Sequence, residues 1–418
     1  MRSKIIALML CLCLLLPILG GCWDKHELED HIFVIMLGLD KADEDNILVT
    51  VAYPVTQTNI GGAESQGDYA VVSAKAQTVA QAMSLFGITL AGPLSLFSTK
   101  TLVISEELAR GDELRHIFSS GRYEQMRNNT GVLVSKGGAA EFIAARVENP
   151  AIDPLRQEDL LLEQANYSAY YRPMQLLDFM VSLQAENMDA AAMYGGVAIK
   201  AKEEAQQRGD AGGGANQGGS EQDPAGQVQA QEPVRRGYLP GRAPITGENH
   251  TQVSGLAIFS GQRMVGALDS FETQTLDMLT KSRTRKVLSL PDPGSEDDTI
   301  TVSIMPTRRG KTRAYMVGDT PTFEIDVHLR ANIEHIRDGA GYNQNFLAEY
   351  IRRECLRNME DLVDSLQNRY HADLLGLSNR LARNFRTVQE WEAFGWRERY
   401  PDADIRINLN ITMENTGL

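Results

Sequence analysis

The stretch Val253-Ser254-Gly255-Leu256-Ala257-Ile258-Phe259-Ser260-Gly261-Gln262-Arg263-Met264-Val265-Gly266-Ala267-Leu268 decides the fold class. Two apolar runs flank Ser260-Gly261-Gln262-Arg263, a short glycine-containing connection expected of an antiparallel hairpin. A helix from Phe271 to Thr280 follows. Hairpin and helix in succession predict an α+β chain, in which sheets are packed with helices.

Toward the C-terminus, Pro291-Asp292-Pro293-Gly294 punctuates the chain, because prolines remove donors and restrict the residues before them. Strands are expected at Thr299 to Met305, Thr312 to Val317 and Thr322 to Ala331. A long helix near Asn343 to Tyr370 places Leu347, Ile351, Cys355, Met359, Leu362, Val363 and Leu366 on one stripe. At about 1.5 Å per residue it is roughly 40 Å long, enough to lie across a sheet. A second amphipathic stretch from Leu374 to Phe385, a turn holding Trp391 and a terminal strand from Ile405 to Thr412 close the unit.

On the N-terminal side, the tract Gly212-Gly213-Gly214-Ala215-Asn216-Gln217-Gly218-Gly219 and the Gln-rich sequence around Pro224 and Pro233 lack apolar periodicity. They cannot bury enough surface to offset the entropy of ordering, so about 201–250 reads as a flexible insert. Its flanks, Ala192 to Lys200 and Val253 to Phe259, look like strands of one sheet. Earlier still, strands at Ile32 to Leu39, Ile47 to Val55, Tyr69 to Ala76, Lys100 to Ser105 and Thr130 to Ser135 alternate with helices. Those helices are expected at Thr78 to Ile88, Leu114 to Ser119, Ala139 to Val147, Glu158 to Tyr167 and Met174 to Gln184. The expected organisation is a signal peptide at 1–21 and three successive mixed α/β domains at 22–192, 193–296 and 297–418.

Arg2 and Lys4 precede an uncharged apolar run from Ile5 to Leu19, followed by Leu19-Gly20-Gly21-Cys22. The run falls short of the roughly 20 residues that span ~30 Å of hydrocarbon, so it reads as a secretory signal. An apolar residue, two small residues and cysteine form a bacterial lipobox. Cys22 is the expected lipid attachment point, taking a diacylglyceryl group before cleavage after Gly21. Cleavage removes Cys11 and Cys13, which leaves Cys22 and Cys355 and no available disulfide. The acyl chains supply the membrane affinity, at ~0.8 kcal/mol per buried CH₂.

The 418 residues carry 41 Lys plus Arg against 55 Asp plus Glu, for a formal charge of -14. An acidic surface without a basic stripe argues against nucleic acid as the partner. Enzyme motifs are missing too: the mature chain has no Walker loop, H-E-x-x-H, G-x-S-x-G or C-x-x-C. His26 with His31 and His328 with His335 lack the partners of a metal site. Asp40, Asp43, Glu44 and Asp45 read as a solvated turn, lacking the spaced ligands of a calcium loop. Cys355 lies on a buried stripe as a small hydrophobe. Arg308, Arg309 and Arg313, with Arg352 and Arg353, read as solvated faces or ion pairs, and Trp391 and Trp396 as packing residues. The expectation is a non-enzymatic chain with no metal and no cofactor beyond the covalent lipid.

Three separated stretches resemble the spore germination lipoproteins called Ger(x)C, the C subunits of nutrient germinant receptors. Gly21-Cys22-Trp23-Asp24-Lys25-His26-Glu27-Leu28 is similar to that family's G-C-W-D-x-x-E-L motif, and Leu37-Gly38-Leu39-Asp40-Lys41 to its following strand end. Gly255-Leu256-Ala257-Ile258-Phe259, Met264-Val265-Gly266 and Glu272-Thr273 resemble its second motif. Asp373-Leu374-Leu375-Gly376-Leu377, Trp391 and the ending from Ile405 to Gly417 resemble its third, although Leu377 replaces a frequent aromatic. The resemblance implies a scaffold or coupling subunit anchored by a lipid (palmitate, diacylglyceryl) on the outer face of the spore inner membrane. It also implies assembly with integral-membrane A and B subunits. Rival readings are a solute-binding lipoprotein of a transporter, which should show repeated βαβ units in two lobes, and an envelope hydrolase, which needs a nucleophile and base.

Overall fold

The computed structural model describes residues 31–43, 46–55, 68–90, 92–114, 126–148, 152–185, 187–198, 237–245, 250–280, 284–307, 310–337 and 341–414. The lipobox, the first quoted motif and nearly all of the Gly/Gln tract lie outside these residues, as do most of the expected Leu114 to Ser119 helix and Arg308-Arg309.

The chain begins with β1 (Ile32–Phe33), β2 (Met36–Lys41), β3 (Ile47–Val55) and β4 (Asp68–Ala76). Then follow α1 (Val79–Phe86), β5 (Leu94–Ser95), β6 (Thr101–Ser105), α2 (Glu106–Arg110), β7 (Gly131–Ser135), α3 (Ala139–Val147), α4 (Pro154–Ser168), α5 (Leu176–Gln184) and β8 (Ala191–Val197). After the insert come β9 (Thr251–Ser260), β10 (Arg263–Leu268) and α6 (Ser270–Thr280). The last part holds β11 (Lys286–Asp292), β12 (Ser295–Pro306), β13 (Thr312–Val317), β14 (Thr320–His335), α7 (Gln344–Asp364), α8 (Val388–Phe394) and β15 (Asp404–Met413).

One eight-stranded sheet runs in the order β10-β9-β8-β7-β6-β2-β3-β4. Its centre, β2, β6, β7 and β8, is parallel, and antiparallel strands complete both edges. The central strands Thr-Leu-Val-Ile-Ser and Gly-Val-Leu-Val-Ser are buried at every residue, as expected where helices cover both faces of a parallel sheet. Phe86, Leu108 and Phe179, from α1, α2 and α5, pack on one face, and Phe142 and Ile143 of α3 on the other.

The second sheet is built around β14. β13 and β12 follow one another along one side of β14, β11 lies outside β12, and β15 runs parallel along the other side. β14 alternates between buried and partly exposed residues, so Phe323, Ile325, Val327, Leu329 and Ala331 face the core under α7. The opposite face is polar, with Arg313 bonded to Glu324 and Asp326. α6 lies between the two sheets. Its Leu276, Met278 and Leu279 share one core with Leu256 of β9 and Leu347 of α7.

The expected middle domain at 193–296 does not form a sheet of its own. β8, β9 and β10 extend the first sheet, with Ala192 paired to Ala257 and Val197 to Thr251, whereas β11 opens the second. The edge of β8 would otherwise expose unpaired backbone groups, and β9 satisfies them. The two ends of the insert therefore join adjacent antiparallel strands, as their composition implied. Pro291-Asp292-Pro293-Gly294 does not end the sheet: Pro291 and Asp292 close β11, and Pro293-Gly294 turn the chain into β12 as a hairpin inside the second sheet. Pro291 is tolerated because β11 is an edge strand. The stretch from Leu374 to Phe385 forms only a short helix at Ser378–Leu381 and a 3-10 turn.

Candidate functional site at the junction of the two sheets

Asp189 lies two residues before β8 and reaches across to the second sheet's unit. Its Oδ1 accepts from Arg397 Nη2 at 2.8 Å and from the Gly261 amide at 3.0 Å, and its Oδ2 accepts from the Asp373 amide at 2.8 Å. Asp373 repeats the device one step deeper. Its carboxylate accepts from the Leu377 and Ser378 amides at 3.0 and 2.8 Å and from the Trp396 indole N–H at 3.2 Å. This turn needs glycine at Gly376, where φ is +66°. Burial raises the carboxyl of Asp373 above its ordinary value and the nearby Asp189 charge adds to this, while the Ser378 and Leu377 amides and the Trp396 indole oppose it. Tyr400 is buried beside the pair. Its hydroxyl has no hydrogen-bond partner among the described residues, and burial followed by the two carboxylates raises its ionisation far above normal.

Further bonds run along the seam. Ser260 Oγ donates to the His371 carbonyl at 3.0 Å and the Tyr370 hydroxyl to the Ala267 carbonyl at 3.3 Å. Gly266 is required at this contact, since a Cβ there would stand 2.2 Å from the Tyr370 ring. The motif residues thus have physical roles. Gly255, at φ +91°, lets β9 approach the Leu268 carbonyl, and Glu272 with Asp269 caps α6. The arrangement fixes two sheets relative to one another and presents no paired nucleophile and base.

The other singled-out residues are scattered. Asp40 is not part of a solvated turn: it is buried and caps α3, accepting from the Ala139 and Ala140 amides at 2.6 and 2.9 Å. Asp43 pairs with Lys75, and Glu44 and Asp45 lie outside the described residues. His328 and His335 stand seven residues apart on β14, or about 23 Å along the strand. His31 stacks on Phe33, and His26 lies outside the described residues. Among the described residues no group of three His, Cys, Asp or Glu side chains could hold a metal ion. Cys355 is buried on the core-facing side of α7, and Trp391 and Trp396 stack at 6.3 Å within the core. Arg352 pairs with Glu349, and Arg353 lies over the Tyr350 ring. Sequence reasoning passed over Asp189 and Arg397. The available signal was an acid, Asp189, directly preceding the apolar run Ala190-Ala191-Ala192-Met193.

Two family models match the chain. One, for the spore germination protein N-terminal domain, covers residues 24–195, and the other, for the spore germination B3/GerAC-like C-terminal region, covers 254–417. The seam joins them, with Asp189 in the first and Asp373 and Arg397 in the second. The Bacillus subtilis (strain 168) protein YfkR is 22% identical, over 98% of this chain and 95% of its own. The spore germination protein B3 of the same organism is 19% identical, over 96% of this chain and 95% of its own. A crystal structure of the GerBC protein has the same fold, with a TM-score of 0.52 at 13% identity, covering 90% of this chain and 96% of that one.

Proposed function

The chain belongs to the Ger(x)C family of spore germination proteins, and from that premise we propose that it is the lipid-anchored, non-enzymatic C subunit of a nutrient germinant receptor. The match of both family models, which together cover most of the chain, carries this reading. The lipobox at Leu19-Gly20-Gly21-Cys22 supports anchoring through Cys22 on the outer face of the spore inner membrane. No helix among the described residues is long and apolar enough to cross a membrane, which suits attachment by lipid.

In this reading the subunit couples integral-membrane A and B subunits to the germination response. The seam suits such a role. Asp189 receives two hydrogen bonds from the second sheet's unit, from Asp373 and Arg397, and a third from the β9–β10 turn of its own sheet, so a displacement of either sheet is transmitted to its neighbour and not lost in a flexible linker. Isolation of the tagged chain from detergent-solubilised spore membranes tests the proposal. Two polytopic proteins should accompany it in fixed ratio. Recovery with a permease and an ATPase instead would contradict it and establish the transporter-lipoprotein reading.

A further inference from the structure

On the α3 side of the larger sheet, away from the seam, α4, the start of β9 and residues 238–245 enclose a cavity of about 630 Å³. That size lies within the range of sites for small ligands, roughly 300–1,000 Å³. Ile152, Leu160, Leu161, Tyr238, Ile245 and Val253 give it an apolar lining.

Every wall is fastened by a specific bond. Gln252 grips the backbone of Ala243 at both ends of its amide, at 3.0 and 3.1 Å, and Ser254 Oγ donates to the Tyr238 carbonyl at 2.7 Å. The Tyr171 hydroxyl donates to the Leu161 carbonyl at 2.6 Å. At one side the buried Arg146 bonds Glu158 at 2.6 Å and Thr251 at 3.0 Å, so its charge is already matched. Of the two arginines in the lining, only Arg156 forms no ion pair with any described residue. An apolar pocket with one uncommitted cation in its lining suits a ligand that is apolar at one end and anionic at the other.

We propose that this cavity binds a small amphipathic molecule with an apolar, ring-sized body and an anionic group for Arg156. The proposal goes beyond the receptor reading and holds whatever membrane partners the chain has.

The test uses the purified full chain and two dyes. 8-Anilinonaphthalene-1-sulfonate carries rings, an N–H and a sulfonate, and N-phenyl-1-naphthylamine has the same rings and N–H without the anion. The sulfonate dye should bind saturably at one site per chain. Arg156→Gln should weaken it about ten-fold while changing the neutral dye less than about two-fold, the loss expected of one charge-assisted contact. Leu160→Trp, which fills the chamber, should abolish both. Ile245→Trp, at a position 68% exposed, blocks the same space where folding tolerates a larger side chain. Binding that survives both tryptophan variants, or equal losses for the two dyes in Arg156→Gln, would overturn the proposal.

Discussion

The carboxylate of Asp189 meets the guanidinium of Arg397 at 2.8 Å, although 208 residues separate them in sequence. The same carboxylate takes the amides of Gly261 and Asp373, so one buried side chain ties the end of the first unit to two loops that face it. Asp189→Ala would strand those amides and is predicted to cost about 2–4 kcal/mol, whereas Arg397→Ala removes one partly exposed donor and should cost less. Denaturant unfolding of the two variants checks the order, and equal losses would contradict Asp189 as the hub of the seam.

Gly255 and Gly318 both have positive φ, at +91° and +61°, but only Gly255 is crowded. A Cβ at Gly255 would lie 2.2 Å from the Leu268 carbonyl oxygen, and one at Gly318 meets nothing within 4 Å. Gly318→Ala is therefore expected to cost only the left-handed backbone strain, about 1–2 kcal/mol. Gly255→Ala adds a backbone clash and should cost clearly more. Thermal denaturation of both variants decides the comparison.

Lys286 is fully buried, with Nζ donating to the Thr284 carbonyl at 2.7 Å. Burial pushes its ammonium down to about 8, with the nearby Asp277 charge opposing and Arg172 adding to the fall. In the unfolded chain a lysine holds its proton to about 10.4. Between these values the unfolded state binds more protons, so the lysine's contribution to stability grows as pH rises and is lost as pH falls back toward 8. Relative to Lys286→Met, the native chain should gain on the order of 3 kcal/mol between pH 8 and 10.5. Denaturation midpoints across that window measure it, and parallel pH profiles would contradict the assignment.

Arg146 and Glu158 form a buried ion pair, with 5% and 1% of their side chains exposed. Glu158→Gln or Arg146→Met leaves an uncompensated buried charge or partner, at a cost of about 3–5 kcal/mol. The double variant is expected to lose much less than the two single losses together, which a double-mutant cycle reads directly.

Much of the local structure was legible in the sequence. Branched alternation at Ile47 to Val55 and Tyr69 to Ala76, the Ser260-Gly261 hairpin and the stripe from Leu347 to Leu366 all became the elements their periods implied. Asn343 caps α7 through its side chain, a start signal visible in the residue type. Strand grouping was not legible. Lys286 to Asp292 alternates cleanly, yet Pro291 and the following Pro293 read as a break, because only the finished sheet shows that Pro291 sits on an edge. Asp40 looked like one acid of a polar loop, since its partners Ala139 and Ala140 lie about a hundred residues away. The seam was hidden for the same reason. Asp373 and Gly376 stood out as a short pattern, but nothing local says that Asp189 completes it.

Anchoring of a germination receptor subunit through Cys22, as proposed, is tested by pairing Cys22→Ala with membrane recovery of the protein and the nutrient germination response of the spores. If Cys22 is the anchor, the variant protein leaves the membrane fraction and the nutrient response weakens. Retention in the membrane with normal germination would contradict it.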